Sequence, residues 1–148
     1  MLRLPLALAL CLGFNNPSPP VVPFTPLLAG PHYLRDTVPE KVVIRNKKEE
    51  KVFLEKHSFA GEPDFPVVDY EKKMVLGVIL GPQRTGAIRV EINKIEDLGN
   101  KILVSSIRWL PNPKRFVTDD IGYPVSLVLV EQSPKTIEFA PTVDKVRE

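Results

Sequence analysis

Met74-Val75-Leu76-Gly77-Val78-Ile79-Leu80 is an unbroken apolar run in a chain of 148 residues of which 26% are charged. A run of this length without polar alternation is what a strand buried on both faces requires, and a layered β structure follows from it. Downstream the pattern changes. Ile88, Val90 and Ile92 alternate with Arg89, Glu91 and Asn93, which marks a strand with one wet face. Leu98-Gly99-Asn100 is a turn signal, and residues 102–109 resume an extended pattern, so the two segments read as an antiparallel hairpin. Beyond Pro111 and Pro113 comes a loop with Asp119-Asp120-Ile121-Gly122, then a second buried strand over 125–130 and a short closing one over 136–139.

Upstream of the run, residues 60–66 hold Gly61, Pro63 and Pro66 and read as a loop. Lys41-Val42-Val43-Ile44-Arg45 is a β-branched strand candidate, and Asn46 followed by Glu49 is a helix-start signature. A helix over 47–57 is expected, with Val52, Phe53 and the Lys56 stem on one side and Glu49, Glu50 and Lys51 toward solvent. The sum is a mainly β fold, an antiparallel β-sandwich or barrel-like domain over 40–148 with one short helix.

Eight of the 16 prolines fall within the first 39 residues. Met1-Leu2-Arg3 and the apolar run over 4–14 read as the charged start and hydrophobic centre of an export signal, too short to span a bilayer. Leu8-Ala9-Leu10-Cys11 resembles the lipoprotein signal and makes Cys11 the candidate lipidation site, although Leu10 stands where that signal has a small residue. Residues 15–39 then read as an extended Pro-rich tether that contributes no strand. The expected location is the periplasm, the cell envelope or the outside of the cell, with membrane contact only through such an N-terminal anchor.

Composition removes most chemistries. A formal net charge of +2 without clustering does not build a nucleic-acid-binding field. One Cys permits neither an internal disulfide nor a multi-thiolate zinc site, and the two histidines, His32 and His57, are too far apart in sequence to suggest a shared metal. No cofactor or metal site is expected. Ser105-Ser106 has no nearby His and lies in an alternating strand pattern. Asp119-Asp120 lacks a third regularly spaced oxygen ligand for Ca²⁺ and reads as a turn cap.

The order of several short motifs adds a family likeness. Val68-Asp69-Tyr70, the apolar strand ending Leu80-Gly81, Arg84-Thr85-Gly86, the exit Trp109-Leu110-Pro111 and Tyr123-Pro124 before a hydrophobic strand resemble the C-terminal domain of the protease-complex subunit PrcB family over about residues 67–130. Ala87-Ile88 depart from that pattern, in which a small residue and then Tyr follow Thr-Gly. The resemblance implies an exported, non-catalytic accessory subunit whose partner is a protein, a protease in the first place.

The candidate contact residues are Gly81, Pro82, Gln83, Arg84, Thr85, Gly86 and Trp109. The loop has the glycine spacing of a phosphate-binding loop but lacks the Lys and Ser or Thr after the second Gly. It reads instead as an exposed connection in which both glycines permit positive φ and Arg84 and Thr85 project donors. The Thr-Gly tip also looks like the wedge loops of chagasin-type protease inhibitors, and a carbohydrate-binding sandwich is a further alternative. The competing enzyme reading is a hydrolase built on Asp64, Asp69, Asp119 and Asp120, which needs two carboxylates about 5–9.5 Å apart across a cleft.

Overall fold

A computed structural model of the chain describes residues 16–30, 34–35, 37–59 and 65–148. The strands are β1 (Thr25–Gly30), β2 (Leu34–Arg35), β3 (Glu40–Ile44), β4 (Ser58–Phe59), β5 (Lys73–Ile79), β6 (Arg89–Asp97), β7 (Lys101–Leu110), β8 (Val125–Glu131), β9 (Thr136–Phe139) and β10 (Val143–Val146), with one helix, α1 (Lys47–Lys56), between β3 and β4. The export segment over 1–14, Cys11, His32 and Asp64 lie outside the described residues.

The fold is mainly β, two sheets packed as a sandwich. The first sheet has the order β1-β8-β5-β3 and is antiparallel throughout. The second is the β6-β7 hairpin, closed on the far edge of β7 by β9 and then β10, both parallel to it. Between those two short strands lie Pro141, which has no N–H to give to a ladder, and Thr142, whose hydroxyl meets Ser106 Oγ at 2.9 Å. A two-stranded β2-β4 ribbon stands apart.

From Met74 to Ile79, β5 is apolar because its sheet is the middle of three layers. Met74, Leu76 and Val78 face the second sheet, against Val90, Ile92, Ile95, Ile102 and Val104. Val75 and Ile79 face the other way, against Val42, Ile44, Leu127, Val68 and Phe53 of α1. Gly77 has no room for more: a Cβ there would run into Leu127 Cδ2 and stand 3.2 Å from the Ser126 carbonyl oxygen. On β6 the buried residues are Val90, Ile92 and then Ile95, a change of parity made possible by the register slip between Ile92 and Lys94. The hairpin turns at Gly99, with φ +92°, and Asp97 Oδ1 accepts the Gly99 N–H at 2.9 Å.

Two expectations are corrected. Part of the Pro-rich segment is not a tether but belongs to the sandwich: residues 25–30 are β1, Leu28 is in the core, and Val22 donates to the Ile95 carbonyl at 2.8 Å. Pro26 is tolerated because β1 is an edge strand and its register slips between Pro26 and Leu28. On α1, Asn46 Oδ1 caps the Glu49 N–H at 2.9 Å as expected, but Glu50 is buried and Val52 exposed. The buried carboxylate is held by Tyr70, whose hydroxyl donates to Glu50 Oε2 at 2.6 Å, and by Lys47 at 3.0 Å, which is how an acid is accommodated in a protein interior.

Candidate interaction surface

The 81–86 loop leaves β5 through a position only glycine fills well. Gly81 has φ +75°, and a Cβ there would stand 2.8 Å from Pro39 Cδ. The chain is then fastened to the segment before β8. Leu80 N–H donates to the Pro124 carbonyl at 3.2 Å, and Gln83 and Gly122 exchange two backbone hydrogen bonds of 2.8 and 3.1 Å. Gly122 seats on the loop so closely that a Cβ would lie 2.8 Å from Gly86 Cα.

This lacing alters two sequence expectations. Thr85 does not project a donor; it is buried, and its Oγ1 accepts the Ala87 N–H at 3.2 Å in a local turn. Gly86 does not use positive φ, and a Cβ on it would meet nothing within 4 Å. Its smallness is needed by Gly122 rather than by its own backbone. Pro82 and Arg84 are exposed and Gln83 half-buried.

The 111–122 connection, bound to this loop at Gly122, carries exposed side chains outside the candidate contact residues. It starts with a turn in which Asn112 Oδ1 accepts the Lys114 N–H at 2.9 Å and the Asn112 carbonyl accepts the Arg115 N–H at 3.0 Å. It then exposes Phe116 completely, with Ile121 63% and Val117 42% exposed. Lys114, Arg115, Asp119 and Asp120 are exposed as well. Asp119 and Asp120 accept no hydrogen bond among the described residues, so they are not turn caps. A lone apolar loop residue is a weak sequence signal; three within six positions is one that sequence inspection can use.

Trp109 is placed elsewhere. The register sets Arg89, Trp109 and Lys145 side by side across β6, β7 and β10. The indole N–H donates to Glu91 Oε2 at 2.8 Å, and Lys145 Nζ sits 5.9 Å from the ring centroid. Trp109 therefore stands half-buried near the end of β7 on the second sheet. No other aromatic stacks on it among the described residues, so the flat array of rings that a sugar platform needs is not formed there.

The residues of the hydrolase reading do different work. Asp69 organises the turn into β5, its Oδ1 accepting the Glu71 N–H at 3.1 Å and its carbonyl the Lys73 N–H at 2.8 Å. Next to it Val68 is buried and Tyr70 reaches Glu50, so this motif ties the helix to the sheet. Ser106 is engaged by Thr142. His57, 1% exposed, packs on Phe53 and meets Glu40 Oε2 at 2.7 Å, while Lys56 meets the same oxygen at 3.1 Å. Burial pushes the Glu40 carboxyl up, but the hydrogen bonds from His57 and Lys56 outweigh it and hold the group below its ordinary value. Asp97, hydrogen-bonded by Lys135, and Asp144, held by Arg108, are also lowered. No cluster of three potential metal ligands is found among the described residues.

What the fold and this surface define is a two-sheet β-sandwich with one helix and a rigid pair of laced connections carrying exposed apolar and cationic side chains. Comparison with family models, with curated proteins and with solved structures returned no match.

Proposed function

We propose that the protein is an exported, non-catalytic interaction domain that holds a protein partner on the face formed by the 81–86 loop and the 111–122 connection. The observation that carries this is Phe116, wholly in solvent with Val117 and Ile121 exposed in the same connection. Monomeric domains seldom leave a group of large apolar side chains in water without a use for it. Aromatic residues and Arg are the types that dominate interface energetics, and Arg84 on the partnered loop is exposed. The two connections form a preorganised base, because the Gln83 and Gly122 backbones are already bonded, and a rigid surface loses less entropy on binding. Support for export comes from the charged start and apolar run over 1–14. The resemblance to PrcB-type subunits makes a protease the first partner to look for, with assistance, tethering and inhibition as the three modes to separate.

The test is capture of partners from a native envelope fraction with the full chain, identification by mass spectrometry, and titration of the recovered protein against variants. Phe116→Ala and Arg84→Ala are each expected to weaken binding about tenfold or more, as interface anchors do. Neither should shift the melting temperature, since surface changes usually stay within about 0.5 kcal/mol. Gly122→Val, which would force the loops apart, should weaken both binding and stability. Undiminished affinity in Phe116→Ala and Arg84→Ala together would remove this face from the interface.

A further inference from the structure

The second sheet ends on β6, and the outer edge of that strand is covered over half its length. Along its C-terminal half the chain's own residues 20–22 lie antiparallel: Val21 bridges Glu96, Val22 N–H donates to the Ile95 carbonyl at 2.8 Å, and Asp97 N–H donates to the Pro20 carbonyl at 2.9 Å. Along residues 89–93 no strand pairs with this edge among the described residues. There the β6 register slips, and the covering chain departs to open β1 at Thr25 in the other sheet. What remains is a groove of about 600 Å³ between the two sheet edges, lined by Phe24, Val90, Ile92 and Val128 and flanked by Arg89 and Arg147.

Three features restrict what this groove can hold. Its floor is apolar. Its wall is strand edge: the Ile92 N–H points away from β7 and donates to Ser126 Oγ at 3.2 Å, and the two-residue period of an antiparallel ladder turns the Val90 N–H and C=O to the same side. Its end is cationic. Neither Arg89 nor Arg147 has an ion-pair partner among the described residues. Glu91, which also lines the groove, receives the Trp109 indole N–H, leaving two guanidiniums against one carboxylate. Burial, and then the neighbouring charge of Arg89, depress the affinity of Arg147 for its proton, so the two cations feel each other.

We propose that the groove captures the free C-terminal tail of a partner polypeptide, which pairs in the antiparallel sense with the Val90 N–H and C=O beside the Ile92 N–H that Ser126 already holds, buries an apolar last side chain on Val90 and Val128, and sets its α-carboxylate on Arg89 and Arg147. Strand addition gives affinity through main-chain hydrogen bonds, and carboxylate capture fixes the register. Polarity follows from the chain itself. Residues 20–22 run antiparallel to β6, and a segment continuing in that direction ends beside Arg89. The opposite polarity would bring an α-ammonium to two cations. A fatty carboxylate would use the same floor and the same arginines but would leave the strand edge unpaired, and for that reason the peptide is the better occupant. The site uses none of the 81–86 or 111–122 residues, so it stands or falls separately from the face carrying Phe116.

The experiment uses the full 148-residue chain and a set of acetylated, alternating Thr-Val hexapeptides with each of the 20 amino acids at the last position, as free acids and as amides, with dodecanoate alongside. Binding is read from the fluorescence of Trp109, the single Trp of the chain, which lines the groove, and from amide exchange at Val90. Peptides ending in Val, Leu, Ile or Phe are expected to bind and to slow exchange at Val90, and amidation is expected to weaken them about tenfold or more, the scale of a lost charge-assisted pair. Arg89→Ala and Arg147→Ala should bring the acids down to the level of the amides without changing the amides or the melting temperature. Phe116→Ala should change nothing. The proposal is overturned if no acid binds below about 1 mM, if acid and amide bind equally, or if dodecanoate binds with dependence on both arginines while no peptide does.

Discussion

β5 and β6 belong to the two facing sheets of the same sandwich and carry similar β-branched side chains, yet they live under different constraints. β5 is covered on both faces and paired on both edges. β6 is covered on one face, paired fully on one edge and partly on the other. The consequence is that β5 admits only apolar residues and one glycine over 74–79, whereas β6 keeps Arg89, Glu91 and Asn93 on its open face and a partly unpaired edge beside a groove. Full coverage makes a strand a foundation. Partial coverage leaves backbone and side-chain groups free to meet another molecule.

The sharpest way to break this comparison is to place the same charge in each sheet. Val78→Asp would bury an unpaired carboxylate at a site with 0% exposure, at a cost of several kcal/mol, about 4 or more, and should abolish the cooperative melt. Val143→Asp, on β10 and 56% exposed, should stay within about 0.5 kcal/mol of the parent in a denaturant titration. Comparable losses in both would mean that the sheets are equally buried.

Deletion of residues 1–39 probes the edge that β1 supplies. Leu28 alone accounts for about 1.5–3 kcal/mol on burial, and the sheet pairing of β1 and the Val22 hydrogen bond go with it. A loss of about 3 kcal/mol or more is expected in urea denaturation. An unchanged midpoint would restore these residues to the status of a tether.

The smallest effect concerns pH and the helix side of the first sheet. Glu40 is lowered below its ordinary value of 4.5, so its contribution to stability is present above that value and is lost as pH falls through its folded-state value. Glu40→Gln should therefore lower the melting temperature at pH 7, and the difference from the parent should shrink on acidification to about pH 3. A difference that is constant across that range would show that the pair with His57 and Lys56 is not what the carboxylate contributes.

Most of the fold was legible because its signals are local. The apolar run over 74–80, the alternation over 88–92, the Gly99 turn and the Asn46 cap each state a backbone conformation or a number of covered faces within a few residues, and the structure has a strand, a strand, a hairpin turn and a helix start there. β1 was hidden by Pro26 and β10 by its polar composition, since a strand at a sheet edge needs neither alternation nor a full set of donors. Of the contact residues, Arg84 and Pro82 were legible as exposed turn positions, while the burial of Thr85 depends on Gly122, distant in sequence.

The amino-acid sequence by itself determined that this chain builds a mainly β domain with one short helix, because hydrophobic periodicity and cap chemistry are properties of neighbouring residues. Only the tertiary structure decided that Glu50 goes inside with Tyr70, that Gly86 is small for the sake of Gly122, and that two arginines, Arg89 and Arg147, flank a groove along half an open strand. Those relations join residues far apart along the chain, and what sets them is the packing of complete elements against one another.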